Sequence, residues 1–180
     1  MANRGRTWRA RRRARGDVEQ KLEELAARLR AAEDQLDILR LLNRYGPLVD
    51  SGSAAEAADL WVAGGGYDFT GVTGDGTRVE APRGLAALYQ TDVHTDLVAT
   101  GVAHLTARPH ITLHGETADA VGYSLVIRRE DDHWYLWRAA INHWALARTA
   151  DGWRITERYN RVLDGSLESR ATMRRILADP

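Results

Sequence analysis

The sequence contains no cysteine, no long apolar run and no acidic residue before Asp17. Without cysteine the chain can form neither disulfides nor thiolate metal sites, so nothing in it requires an oxidising compartment. No segment approaches the roughly 18 apolar residues of a membrane span, and the arginine-rich start lacks the apolar stretch of a secretory signal. We therefore expect a cytoplasmic protein that makes no membrane contact.

The formal net charge of zero hides an asymmetric distribution. The first 16 residues contain seven arginines and no acid, and the remaining 18 basic residues face 25 acidic ones, a balance of −7. Like charges repel and little apolar surface is present, so residues 1–16 are predicted to form a disordered arm. The alternative is an arm that tethers the protein to an acidic partner. The acidic remainder argues against nucleic-acid binding by the domain.

A chain of 180 residues with 44% hydrophobic content is expected to form one domain, predicted here at residues 17–165. Apolar residues recur in steps of four and three after the arm, the heptad spacing that predicts a long helix. These positions are Val18, Leu22, Leu25, Leu29, Ala32, Leu36 and Leu39. The first half of this helix either pairs in a homo-oligomer, a dimer or trimer, or packs on its own domain. Residues 36–49 are apolar enough to lie against a sheet.

The second half of the chain predicts consecutive β-strands. Alternating segments are separated by turn-like clusters, of which Asp151-Gly152 is the strongest hairpin signal. The predicted strands are 102–114, 118–129, 134–149 and 153–162. Before them the pattern predicts a short helix after Ser53, a turn at 64–66, a strand at 67–70, a loop at 71–77 and a helix at 85–91. This order predicts an α+β fold, and residues 166–180 form either a short helix or a tail.

Several local signatures in residues 36–165 resemble the SnoaL-like domains of the nuclear transport factor 2-like superfamily. The resemblance rests on Tyr45 and Asp50 in one segment, His104 at the start of a strand, and the segments 116–120 and 151–155. The resemblance implies a cone-shaped, curved antiparallel sheet with N-terminal helices packed on it, a cystatin-like α+β barrel that encloses a pocket, commonly in a dimer. It fixes no activity, because this fold hosts dehydratases, isomerases, cyclases, hydrolases and binding modules.

Asp50 and His104 are similar to the aspartate and histidine of scytalone dehydratase and bile acid 7α-dehydratase. The resemblance implies that His104 acts as a general base and that Asp50 orients it. Removing a proton beside a carbonyl near neutral pH suits an imidazole, and a carboxylate on one ring nitrogen fixes its tautomer. Tyr45 lies where the bile-acid enzyme has a tyrosine that donates to a substrate oxygen. Tyr45 and Asp50 reach one pocket only if the chain bends near Gly46-Pro47.

Four further residues are predicted to bind the substrate. Phe69 stands where the dehydratases have a tyrosine, and Tyr67 shares its face of the strand. Asn142 and Trp144 share one face of the strand at 134–149. Asn142 either fixes a substrate oxygen or pairs with the backbone, and Trp144 is expected to pack against a ring.

Metal and serine chemistry are not expected. His110 and His114 lie about 13 Å apart along a strand, too far to share an ion with His104. No nucleophile elbow is present, so hydrolysis through a covalent serine is not expected. We predict neither a metal nor another cofactor. The predicted function is a cofactor-independent lyase or isomerase that acts on a hydrophobic cyclic ketone or polyketide-like molecule. The alternative is a non-catalytic domain that binds a small molecule or a protein, in which the Asp50–His104 pair is structural.

Overall fold

The computed structural model describes residues 4–70 and 76–177 and divides the chain into two units, 1–36 and 37–180. The first helix, α1, runs from Arg4 to Asp50 and therefore begins inside the segment predicted as a disordered arm. Residues 1–3 of that arm and residues 71–75 of the predicted loop lie outside the described part. No helix within the described ranges combines the length and apolar character needed to cross a bilayer.

The first unit carries an exposed apolar stripe along α1. Val18, Leu22, Leu25 and Leu29 each expose between 56% and 60% of their surface, and they follow the heptad spacing noted above. Arg15 and Glu19 form an ion pair one turn apart beside the stripe. Homo-oligomerisation through this stripe stays a prediction.

We expect Leu22→Glu/Leu29→Glu to lower the molecular mass of the protein in solution, measured by light scattering after gel filtration. Two carboxylates placed in an apolar seam would each lose hydration without gaining a partner. Ala27→Glu adds one charge on the opposite side of the helix and is the control. A mass that is the same in all three proteins would contradict oligomerisation through the stripe.

The end of α1 contributes to the core of the second unit. Buried residues recur with the 3.6-residue period of a helix face, at Ile38, Leu41, Leu42, Tyr45 and Val49. Two short helices, α2 (Ala54–Ala58) and α3 (Arg83–Tyr89), join the same apolar cluster, and α4 (Asp92–Thr100) follows α3. α5 (Leu167–Arg174) is capped by Ser166, whose Oγ accepts a hydrogen bond from the backbone nitrogen of Ser169, and a short 3-10 turn, Arg175–Leu177, follows the helix.

Within the described residues, seven strands form one curved sheet that does not close on itself. They are β1 (Trp61–Thr70), β2 (Gly76–Glu80), β3 (Val102–Thr106), β4 (His110–His114), β5 (Thr117–Glu130), β6 (His133–Thr149) and β7 (Gly152–Val162). Their order is β2-β1-β7-β6-β5-β3, and β4 also pairs with β5. All pairs are antiparallel except β1 with β7, which are parallel. The α+β fold and the curved sheet predicted from the sequence are confirmed.

Three local predictions differ from the structure. The strand predicted at 102–114 is two strands, and the segment between them includes Pro109, which has no N–H for a sheet hydrogen bond. The glycines at 64–66 belong to β1, where Gly64 has a φ of +79° and the pairing with β7 shifts register. They form an irregularity inside a strand, not a turn before one. β2 and α4 were not predicted.

Candidate active site

A cavity of about 190 Å³ lies in the second unit. Side chains from α1, β1, α3, α4 and four further strands line it. Four of the seven predicted site residues reach its wall: Tyr45, Tyr67, Phe69 and His104. The rings of Tyr67 and Phe69 lie 4.8 Å apart, as their positions two residues apart on β1 predict.

Asp50 binds His104 at two points. Oδ1 of Asp50 lies 2.5 Å from Nδ1 of the imidazole, and Oδ2 accepts the backbone N–H of His104 at 2.7 Å. Because a carboxylate only accepts hydrogen bonds, Nδ1 carries the proton in the neutral ring, and Nε2 keeps its lone pair. The side chains of His104 and Asp50 are 17% and 19% exposed, so both are largely shielded from solvent, and His104 lines the cavity.

Gly46 allows α1 and β3 to approach closely enough for this pairing. A Cβ at position 46 would lie 2.0 Å from the carbonyl oxygen of His104, far inside van der Waals contact. The helix continues through Pro47 and ends at Asp50. Tyr45 therefore reaches the cavity from the last turns of the same helix that carries Asp50, without a helix end at Gly46-Pro47.

Arg158, on β7, is the most deeply buried charged residue of the cavity wall, with 3% of its surface exposed. Its guanidinium carbon lies 4.4 Å from the ring centre of Tyr45 and 4.5 Å from that of Tyr67. Trp144 adds a third ring at 5.6 Å. Contacts between a guanidinium and aromatic faces are favourable and partly replace the water that Arg158 loses.

Asn142 and Trp144 do not line the cavity, although the sequence predicted both as substrate contacts. The amide oxygen of Asn142 accepts a hydrogen bond from Nε of Arg158 at 2.9 Å, and its nitrogen donates to Oγ of Ser124 at 2.7 Å. Both residues lie behind Arg158 and hold it in place. The side-chain amide of Asn142 therefore forms its hydrogen bonds with other side chains. The alternative predicted from the sequence was hydrogen bonding to the backbone.

Four ionisable wall residues were not among the predicted site residues: Tyr89, His94, Arg138 and Arg158. If side chains alternated strictly along β7, the side chain of Arg158 would lie on the face opposite the buried residues Trp153 and Ile155. The β6–β7 register shifts at this point, so that Arg158 and Ile155 share the inner side. His94 lies on α4, a helix that the sequence did not predict.

Burial changes the ionisation of several wall residues. It raises the pKa of Tyr67 to about 12, and it raises the pKa of Tyr89 well above its ordinary value. Both phenols therefore remain neutral donors at physiological pH. Burial lowers the pKa of His94, which favours the neutral imidazole.

We expect the protein to lose stability as the pH rises from about 10 to about 12, and Tyr67→Phe to weaken this dependence. Unfolded tyrosine ionises near pH 10, whereas folded Tyr67 keeps its proton until about pH 12, so alkali favours the unfolded state in that window. The contribution of this one group is up to about 3 kcal/mol. Urea unfolding at pH 9 and pH 11.5 measures it.

Tyr123→Phe, which removes an exposed hydroxyl, is the matched control for that experiment. An equal loss of unfolding free energy in wild type and Tyr67→Phe would contradict the raised pKa of Tyr67.

Residues 30–159 match the SnoaL-like domain family. The chain belongs to this family. No match is found among curated proteins. Within the described ranges, no group of three or more histidine, aspartate or glutamate side chains is arranged to hold a metal ion.

Solved structures with the same fold agree with this assignment. A nuclear transport factor 2-like protein with a cystatin-like fold from Novosphingobium aromaticivorans is 39% identical, with a TM-score of 0.78, over 83% of this SnoaL-like chain and 94% of the other. A protein from Catenulispora acidiphila in complex with S-DNPA is 16% identical, with a TM-score of 0.62, over 82% and 99% of the two chains. ActVI-ORFA from Streptomyces coelicolor is also 16% identical, with a TM-score of 0.61, over 73% and 98%. The last two likenesses show the shared fold alone.

Proposed function

We propose that this SnoaL-like protein is a cofactor-independent lyase or isomerase that removes a proton beside the carbonyl of a cyclic, largely apolar small molecule. The observation that carries the proposal is the pairing of His104 with both carboxylate oxygens of Asp50 on the wall of the cavity. A neutral imidazole with an open Nε2 and a carboxylate on Nδ1 is the arrangement that general-base catalysis requires.

In this proposal Nε2 of His104 takes the proton from carbon, and Asp50 stabilises the imidazolium that forms. Negative charge then moves to the carbonyl oxygen, where Tyr45 or Tyr67 donates a hydrogen bond. The raised pKa of Tyr67 supports this role, because a phenol that stays protonated can donate. The imidazolium returns its proton to a leaving hydroxyl in a dehydration, or to another carbon in an isomerisation.

The size and chemistry of the cavity support a compact cyclic substrate. Eleven of the 19 wall residues are aromatic or aliphatic and eight are polar or charged, and small-molecule sites typically combine an apolar wall with placed polar groups. The family also supports binding of a small molecule, and a distant structure of the same fold, from Catenulispora acidiphila, is a complex with S-DNPA.

Exchange of carbon-bound hydrogen for deuterium tests the proposed step without knowledge of the final product. Bicyclic ketones such as 2-tetralone are incubated with the protein in D₂O, and the signal of the protons beside the carbonyl is followed by NMR. We expect exchange well above the rate in buffer alone. Ligands that raise the melting temperature but show no accelerated exchange would identify a binding domain and contradict the enzymatic proposal.

A further inference from the structure

Arg158 is a buried cation without an acidic partner in the part of the chain that the structure describes. Its Nε donates to Asn142, but its Nη1 has no hydrogen-bond partner within the described residues. Arginine stays protonated at any physiological pH, and burying a charge without a counter-charge is strongly unfavourable. The three aromatic rings offset only part of that cost.

The carboxylates near Arg158 are engaged elsewhere. Asp50 uses both oxygens on His104, Glu157 pairs with Arg78, and Asp68 pairs with Arg161. The phenol of Tyr67 remains neutral because burial raises its pKa, so it supplies no negative charge. No carboxylate within the described residues neutralises Arg158.

A second guanidinium strengthens the positive potential on this side of the cavity. Nη2 of Arg138 donates to the backbone oxygen of Thr70 at 2.7 Å and to the side-chain oxygen of Asn160 at 2.8 Å. Asn160 in turn donates to Asn142, which also holds Arg158. The network thus holds two positive charges at the wall with neutral acceptors only.

Three of the five buried side-chain atoms that lack a hydrogen-bond partner within the described residues belong to the cavity wall. Tyr89 Oη, His94 Nε2 and Arg158 Nη1 are buried without hydrogen-bond partners, and all three side chains line the wall. Buried polar groups in a folded protein are normally satisfied, and groups that are not call for an explanation. A ligand with anionic oxygens would supply the missing acceptor for Arg158.

We propose that Arg158, supported by Arg138, forms a subsite for a carboxylate group, and that the natural ligand is therefore a cyclic acid. The identification of the substrate as a cyclic keto acid rests on the proposed function. The carboxylate-binding site itself does not depend on that function. Tyr45 is close to both His104 and Arg158. Its ring centre lies 6.3 Å from the ring centre of His104 and 4.4 Å from the guanidinium carbon of Arg158. A carboxylate held at Arg158 would place the rest of a compact ligand beside His104.

The first test uses the unaltered protein and two probes of similar shape, one anionic and one neutral. Binding of 2-naphthoate and of 2-naphthamide is measured by calorimetry at low and at moderate salt. A charge-assisted hydrogen bond to a buried guanidinium predicts tighter binding of the acid, on the order of 10- to 100-fold. Equal affinity for the two probes, or no binding of either at millimolar concentration, would overturn the carboxylate subsite.

The second test replaces Arg158 with a neutral side chain of similar length. Arg158→Met is expected to abolish the preference for 2-naphthoate, whereas Arg158→Lys, which keeps the charge, should retain part of it. Arg40→Met removes an exposed guanidinium on α1 and should leave the preference unchanged. Retention of the full preference in a folded Arg158→Met protein would assign the discrimination to another group and overturn the proposal.

The two proposals fail in distinguishable ways. If the wild type exchanges the protons of 2-tetralone but does not distinguish the acid from the amide, proton transfer is supported and the carboxylate subsite is overturned. If it distinguishes the probes but exchanges no ketone, the subsite is supported and the proton-transfer proposal is contradicted. An effect of Arg158→Met on exchange of the neutral ketone alone would assign Arg158 to the developing enolate oxygen, which also overturns the subsite.

Discussion

Replacing His104 with glutamine is expected to reduce ketone exchange by about 100- to 10,000-fold, the usual contribution of a general base. Glutamine fills a similar volume and can still donate toward Asp50, but it cannot take a proton at neutral pH. The backbone N–H of His104, which donates to Oδ2 of Asp50, is unaffected by the change. The fold should therefore be retained while exchange falls, as NMR and a thermal melt would show.

His110→Gln is the matched control, because His110 lies on β4, is exposed and does not line the cavity. Its rate of exchange should equal that of the wild type. Equal rates in His104→Gln and His110→Gln would remove His104 from the mechanism.

Asp50→Asn separates the orienting role of the carboxylate from the base itself. The amide has one acceptor oxygen and no charge, so it loses the stabilisation of the imidazolium and one of its two bonds to His104. We expect exchange to fall by about 10- to 100-fold, less than in His104→Gln, and the pH profile of exchange to change. A change in stability with an unaltered rate and profile would indicate a purely structural pair.

Gly46→Ala is expected to produce the second large effect, although the residue has no reactive group. Alanine is favoured over glycine inside a helix by about 1 kcal/mol, so propensity alone predicts a gain in stability. The new Cβ, however, would lie 2.0 Å from the backbone oxygen of His104, and backbone cannot rotate away as a side chain can. Either α1 or β3 must move.

The shift should reverse the gain from helix propensity and displace His104 from Asp50. We expect a net destabilisation of about 1–3 kcal/mol, as in other overpacked sites, and a fall in exchange of about 100-fold from misplacement of the base. Urea unfolding and the deuterium assay measure the two quantities. Gly16→Ala, at a glycine of α1 where no described atom lies within 4 Å of the added Cβ, is the control. A more stable and fully active Gly46→Ala protein would contradict the close approach of α1 and β3.

Much of the fold was predictable because its signals are local. The apolar spacing of α1 predicted the long helix, and the alternating segments with their turn residues predicted the strands that became β5, β6 and β7. Predictions failed where the local pattern was irregular. Pro109 divides one predicted strand into β3 and β4, and the glycines at 64–66 lie inside β1 instead of preceding it.

The candidate site was predictable where the resemblance provided positions, and not elsewhere. Tyr45, Tyr67, Phe69 and His104 lie on the cavity wall, and Asp50 pairs with His104. Asn142 and Trp144 lie on the predicted strand, but neither reaches the wall. Whether a side chain on a strand reaches the cavity depends on the side chains of neighbouring strands, which can cover it. A single sequence does not contain that information.

By itself, the sequence determined the helical and strand character of most segments, because periodicity and turn chemistry act between residues close in the chain. Tertiary structure alone decided which groups meet at the cavity. The register shift between β6 and β7 turns Arg158 inward, and Gly46 admits the backbone of His104 to the end of α1. Both depend on contacts between residues far apart in sequence, where one residue of offset or one methyl group changes which side chains meet.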